Sequence, residues 1–261
     1  MKSFAFLLFA TSLFSVEQLR VQPVSRTPEA DTVKVVISVP RTNQVIKSNP
    51  VYVQTRVDGF SLGSDSGMFD RADEIALTDL GQTIHVVVDN EPYFPVNEPA
   101  LDPFIEQGFY YDTSYKFEIP KRLSRGVHTL RMFPARSYGE SLKGENTFAV
   151  MTFYVGGEEG NAPDLSKPYL TYNEPSNRMN LTADKPILLD FYVSNCALTN
   201  DGYRVRLSID GKVHRMLPLW VPYYIYGMPK GRHTVRLELL DRADKLVDGP
   251  FSDVQETIVV R

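Results

Sequence analysis

The sequence predicts an all-β protein: two tandem antiparallel β-sandwich domains behind a cleavable signal peptide. Three observations lead there. An internal repeat writes one unit twice, apolar and polar residues alternate with period two inside each copy, and the N-terminus opens on a short apolar run.

The repeat is clearest where Gly126-Val127-His128-Thr129-Leu130-Arg131 returns 105 residues later as Gly231-Arg232-His233-Thr234-Val235-Arg236. Pro120-Lys121 precedes the first copy and Pro229-Lys230 the second. Val86–Asn90 lines up with Leu207–Gly211, and Pro50 with Val51–Val57 lines up with Pro186 and Ile187–Val193. The matches keep their order, and each copy is long enough for its own core.

Strand parity follows from the same segments. Ile187, Leu189, Phe191 and Val193 fall on one face, with Asp190 and Tyr192 opposite. Val205, Leu207 and Ile209 share a face, as do Val235, Leu237 and Leu239. Strands buried on one side give this alternation. Asp210-Gly211 and Asp89-Asn90 supply residues tolerant of positive φ where hairpins need them. Phe148–Val155 and Thr257–Val260 close the two copies.

Domain limits follow from composition. Residues 1–15 read as a signal peptide: Met1-Lys2, the apolar run Phe4–Phe14, then small residues. Residues 16–30 read as a polar, poorly ordered leader with Pro23 and Pro28. The first sandwich covers 31–155, the turn-rich stretch 156–166 is a linker, and the second sandwich covers 167–261.

The pattern Pro-Lys, Gly-x-His-Thr-aliphatic-Arg, a turn and a last strand resembles bacterial immunoglobulin-like and fibronectin-III-like domains. Leu188-Leu189-Asp190-Phe191-Tyr192-Val193-Ser194-Asn195 is similar to exported bacterial proteins of unknown function. The resemblance implies a fold and no chemistry.

Composition excludes several functions. With 28 Lys+Arg against 32 Asp+Glu, the net charge of −4 argues against nucleic-acid binding. One cysteine, Cys196, rules out an internal disulfide and makes a thiolate metal site a poor fit. Export without a bridge points to a bacterial periplasm, cell surface or medium. No integral membrane segment is expected after signal cleavage.

Unequal spacing locates two insertions in the first copy, of 15 and 16 residues. The first, roughly 60–82, carries Asp65, Asp70, Asp73 and Glu74 and is read as a solvated acidic loop, with a short helix near Arg71–Leu80. The second, roughly 92–115, concentrates Tyr93, Phe94, Phe104, Phe109, Tyr110, Tyr111 and Tyr115. The second copy has a shorter aromatic stretch with Trp220, Tyr223 and Tyr224. These ten rings are the candidate interaction surface. Three uses are open: filling the ends or the junction of the sandwiches, anchoring a protein partner, or stacking on sugars. His128 and His233 are read as inward-facing and structural, Arg131 and Arg236 as outward-facing with carboxylate partners.

No catalytic motif is present and no cofactor or metal is expected. The function expected is that of a non-catalytic interaction protein of the bacterial envelope, with a protein partner ahead of a glycan. A hydrolase with paired carboxylates is the remotest alternative.

Overall fold

The structure is a computed structural model that describes residues 19–66, 69, 71–98 and 114–261. The expected signal peptide and four of the candidate rings (Phe104, Phe109, Tyr110 and Tyr111) lie outside the described residues.

The chain is nearly all β. After β1 (Arg20–Pro23) come β2 (Lys34–Val39), β3 (Val45–Ile46), β4 (Tyr52–Asp58) and the single-turn helix α1 (Arg71–Glu74). Then follow β5 (Thr83–Val88), β6 (Phe94–Val96), β7 (Ser114–Glu118), β8 (Gly126–Ala135) and β9 (Ala149–Val155). The second half holds β10 (Tyr169–Glu174), β11 (Ile187–Ser194), β12 (Arg204–Ile209), β13 (Lys212–Leu217), β14 (Tyr223–Tyr226), β15 (Gly231–Leu240) and β16 (Asp253–Val260).

In the N-terminal sandwich, the sheet β2-β4-β7 faces the sheet β3-β9-β8-β5-β6. In the C-terminal sandwich, β13-β12-β15-β16 faces β1-β14-β11-β10. Among the described strands, pairing is antiparallel except for β3 beside β9. The repeat maps onto equivalent strands, with β4, β5, β8 and β9 answering to β11, β12, β15 and β16.

Parity fills the cores as the alternation requires. Ile84, Val86, Leu130 and Met132 enter the first core, with Val53, Val57 and Phe153 from neighbouring strands. Leu189, Phe191, Leu207, Val235, Leu237 and Leu239 enter the second. Burying each such side chain contributes about 1.5–3 kcal/mol. The turn Asp210-Gly211 has positive φ at both positions (51° and 74°), which the two-residue β12–β13 hairpin demands.

Three expectations are corrected by the coordinates. First, β5 and β8 are buried almost throughout, and β11 through Val193, so these strands are covered on both faces. Second, the leader is not loose. Its residues 20–23 form β1, which pairs with β14 from Arg20↔Tyr226 to Pro23↔Tyr223, and Val21 joins the second core. Third, the first insertion is not simply a solvated loop. Ala72 and Ile75 pack against Tyr138, Leu188 and Tyr224, and the Tyr224 hydroxyl donates to Glu74 at 2.7 Å.

Candidate functional site

The outward faces of β5, β8 and β11 meet at the junction between the sandwiches. An aromatic stack crosses it. Tyr192 lies 4.8 Å from both Phe133 and Phe148, and Trp220 sets its edge on Tyr192 at 5.7 Å. His85 stacks flat on Tyr93 with centroids 3.7 Å apart. Such pairs contribute about 0.5–1.5 kcal/mol each beyond simple burial.

A polar network threads the same junction. Lys143 reaches across to Asp190, and both side chains are essentially sealed from solvent. Asp190 also accepts from Ser141 and from Asn173 Nδ2 at 2.8 Å. Asn173 Oδ1 in turn accepts from His85 Nδ1 at 2.6 Å. Burial holds the His85 imidazole down at about 4, so the ring donates as the neutral form. A buried pair this well bonded fixes geometry more than it adds stability.

Glu174 sits beside this network. Its Oε1 accepts from the Tyr93 hydroxyl at 2.6 Å, while its Oε2 has no partner. Burial pushes its carboxyl up to about 8, against the lowering effect of Tyr93 and Ser176. Arg131 is the correction to its outward-facing assignment. It is fully buried and, among the described residues, forms no ion pair; its guanidinium donates to the carbonyls of Leu170 and Asp89 and to Thr171, and lies over the Phe251 ring. Arg236 behaves as the sequence predicts, pairing with Asp253 and Glu238.

The leader continues from β1 along this junction. Glu140 accepts from the Thr27 amide at 2.9 Å and hydroxyl at 2.6 Å, and Arg71 closes on the same carboxylate. Arg26 donates twice to the Trp220 carbonyl and lies over the indole at 5.0 Å.

Six candidate rings can therefore be placed. Tyr93, Tyr223 and Tyr224 are 1–3% exposed, and Tyr115 lies in the first core. Trp220 is half-buried, with its Nε1 donating to the Phe191 carbonyl. Phe94 is half-buried and meets Phe117 edge-on at 5.8 Å. Of these rings, Phe94 lines an open cleft. Tyr93, Trp220 and Tyr224 take the junction-filling role that the sequence left open.

The two structural histidines have a partner that the sequence reading missed. Asp89 takes His128 Nδ1 at 2.8 Å and the Thr129 amide at 2.9 Å. Asp210 takes His233 Nδ1 at 2.7 Å and the Thr234 amide at 2.9 Å. The other ring nitrogens face the Ser124 and Pro229 carbonyls. The signal was present: each His-Thr pair recurs together with a turn aspartate. The bond to Asp89 raises the His128 imidazole above its ordinary value, against burial. The Cys196 thiol is pushed up to about 11 by burial, which leaves it a poor nucleophile. Among the described residues, no cluster of three potential metal ligands occurs and no helix is long and apolar enough to cross a membrane.

A cleft of about 680 Å³ opens in the N-terminal sandwich, between the edge strands β6 and β7. Phe94, Pro95, Val96 and Asn97 form one wall and Lys116, Phe117 and Glu118 the other, with Arg178 contributed from the C-terminal sandwich. Lys116 and Glu118 are exposed. Among the described residues, no strand pairs with the outer edge of β7.

No family model and no curated protein matches the chain. Solved structures similar to it include fibronectin(III)-like modules of Clostridium thermocellum CbhA, at 12% identity over 87% of this chain and 94% of that one, with a TM-score of 0.29. Latent PorU from Porphyromonas gingivalis matches at 12% identity over 90% of this chain and 21% of its own, with a TM-score of 0.28. The Bacteroides ovatus mixed-linkage glucan utilization locus SGBP-B, solved with a mixed-linkage heptasaccharide, matches at 14% identity over 93% and 48%, with a TM-score of 0.18. The chain thus spans about a fifth and a half of the latter two. At these TM-scores the likenesses carry no argument about function.

Proposed function

We propose that the chain is an exported, non-catalytic interaction module that takes a protein partner in the cleft between β6 and β7. The observation behind this reading is the pairing of two sheet edges around one open groove. An edge strand offers backbone donors and acceptors to an incoming extended segment, and alternate side chains of that segment can enter the groove. Pro95 removes one donor from β6, which makes the Lys116–Glu118 stretch of β7 the receptive edge. Phe94 and Phe117 supply apolar contact, while Lys116 and Glu118 mark the rim with opposite charges.

The aromatic stretch around Trp220–Tyr226 offers a poor platform for a glycan. A sugar platform needs an open ring face, whereas Arg26 covers one face of Trp220, and Tyr223 and Tyr224 are buried. Export rests on the apolar run Phe4–Phe14 and the small residues after it.

Photo-crosslinking in the native host tests the reading. A photoreactive residue replacing Lys116 or Glu118 should capture one defined protein, and the same residue replacing exposed Lys245 should not. Equal capture at all three positions, or none at Lys116 and Glu118, contradicts it. Recovery of the chain from the cytosol alone would contradict export.

A further inference from the structure

Both ring nitrogens of His128 face groups that accept hydrogen bonds and cannot donate them. Nδ1 lies 2.8 Å from Asp89 Oδ2, and Nε2 lies 3.0 Å from the Ser124 carbonyl oxygen. Burial pulls the Asp89 carboxyl up, but the bonds from His128 and the Thr129 amide outweigh it and hold the group below its ordinary value. Asp89 is therefore an ionised acceptor near neutral pH. The two bonds to the ring form together only when both nitrogens carry hydrogen. The His128 side chain is 6% exposed, which leaves water little room to replace a lost bond. The second copy repeats the placement: His233 meets Asp210 at 2.7 Å and the Pro229 carbonyl, again four residues upstream, at 2.8 Å.

The His128 ring joins two pieces of the N-terminal sandwich. Asp89 belongs to the turn after β5, where its amide also donates to the Thr129 carbonyl at 2.8 Å. Ser124 belongs to the connection from β7 to β8, whose Pro120 lines the β6–β7 cleft. Two further anchors hold that connection. Leu123 shares two bonds of 2.9 Å with the Asn49 side chain, and Lys121 pairs with Glu91 at 3.4 Å. Among the described residues, the charged groups that act on the ring are Asp89 and Lys121, and the uncharged Phe153 ring from β9 lies at 5.8 Å.

We propose that His128 is a proton-dependent clamp, which holds Ser124 and the end of the β7–β8 connection only while its ring is an imidazolium. When one proton leaves to solvent it leaves from Nε2, because the Asp89 carboxylate keeps the hydrogen on Nδ1. The Ser124 carbonyl then loses its donor. The bond to Asp89 raises the imidazole above its ordinary 6.5, against burial and Lys121. The clamp is thus closed at pH 6.5 and opens as pH rises through the higher value of the fold. This inference does not depend on what occupies the cleft.

NMR of the full chain, labelled with nitrogen-15, tests it. At pH 6.5 both His128 ring nitrogens should show the shifts of an imidazolium. As pH rises, Nε2 alone should lose its hydrogen. Protection of the Leu123 amide, corrected for intrinsic exchange, should fall about threefold or more with the same midpoint. Asp89→Asn keeps an acceptor and suits the positive φ of 56° at that position, but removes the charge. It should lower both midpoints by about one pH unit. A ring with a single hydrogen at pH 6.5, or one that gives up the Nδ1 hydrogen first, overturns the proposal. So does a titration that leaves Leu123 protection unchanged, or a folded Asp89→Asn chain with unmoved midpoints. Should circular dichroism find that variant unfolded, the titration of the unaltered chain decides.

Discussion

Leu237 and Glu238 are neighbours on β15 that point to opposite sides. Leu237 is sealed in the C-terminal core, and its truncation to Ala should cost about 2–5 kcal/mol in chemical denaturation. Glu238 faces outward yet is also covered, because Arg206 grips it with bonds of 2.7 and 2.8 Å and Arg236 adds a third contact. Glu238→Ala should therefore cost about 1–2 kcal/mol, more than a free surface residue. Equal losses for the two variants would refute the parity of β15. Glu174 and Glu256, both raised by burial, carry pH dependence of one sign, and Glu174, the higher of the two, extends it furthest. Its pKa rises from 4.5 to about 8, so between these values the folded chain holds a proton that the unfolded chain releases. Stability must fall as pH rises through that window, at up to about 1.4 kcal/mol per pH unit. Loss of the His128 proton acts in the same direction, since that imidazole is raised in the fold. His85, lowered to about 4, has the opposite sign and acts only between about 4 and 6.5. Stability should thus decline from pH 6.5 to 8, and Glu174→Gln should flatten the decline. An unchanged slope in that variant would remove Glu174 from the account.

At the scale of elements, β1 and β11 show what was and was not legible in the sequence. The alternation along β11 placed Leu189, Phe191 and Val193 inward correctly, because period two encodes a strand's own core. It could not say what covers Leu188, Asp190 and Tyr192, since much of that cover arrives from α1, β5, β8 and the segment that follows β8, all far upstream in the sequence. One signal was available: Ile187–Val193 is apolar at both parities apart from Asp190, as expected of a strand buried on both faces. The ten candidate rings stand out by their concentration in the second insertion and in the Trp220–Tyr226 stretch, a signal that cannot separate a ring at a junction from one at a surface. β1 was illegible for another reason, as four residues with one buried side chain, Val21, leave no period to read. Its pairing with β14 predicts that a chain beginning at Asp31 loses hydrogen-exchange protection of those β14 amides that face β1, while those facing β11 keep it. Full protection in that truncated chain would show that the edge strand is dispensable.

Across the whole molecule, the face that a lone sandwich could offer to a ligand is spent on joining its twin. With a single cysteine there is no covalent staple, so the union rests on the aromatic stack, the Lys143–Asp190 pair and the leader that bridges both halves. Among the described residues, those of the β6–β7 cleft stay open to a partner. Scanning calorimetry of the full chain and of Asp190→Ala tests this union most directly. The account predicts one transition for the full chain, with equal calorimetric and van't Hoff enthalpies. In the variant, stranding the buried Lys143 charge should cost about 3–5 kcal/mol and shift the whole transition or split it. Two separate transitions in the unaltered chain, with Asp190→Ala leaving both in place, would contradict it.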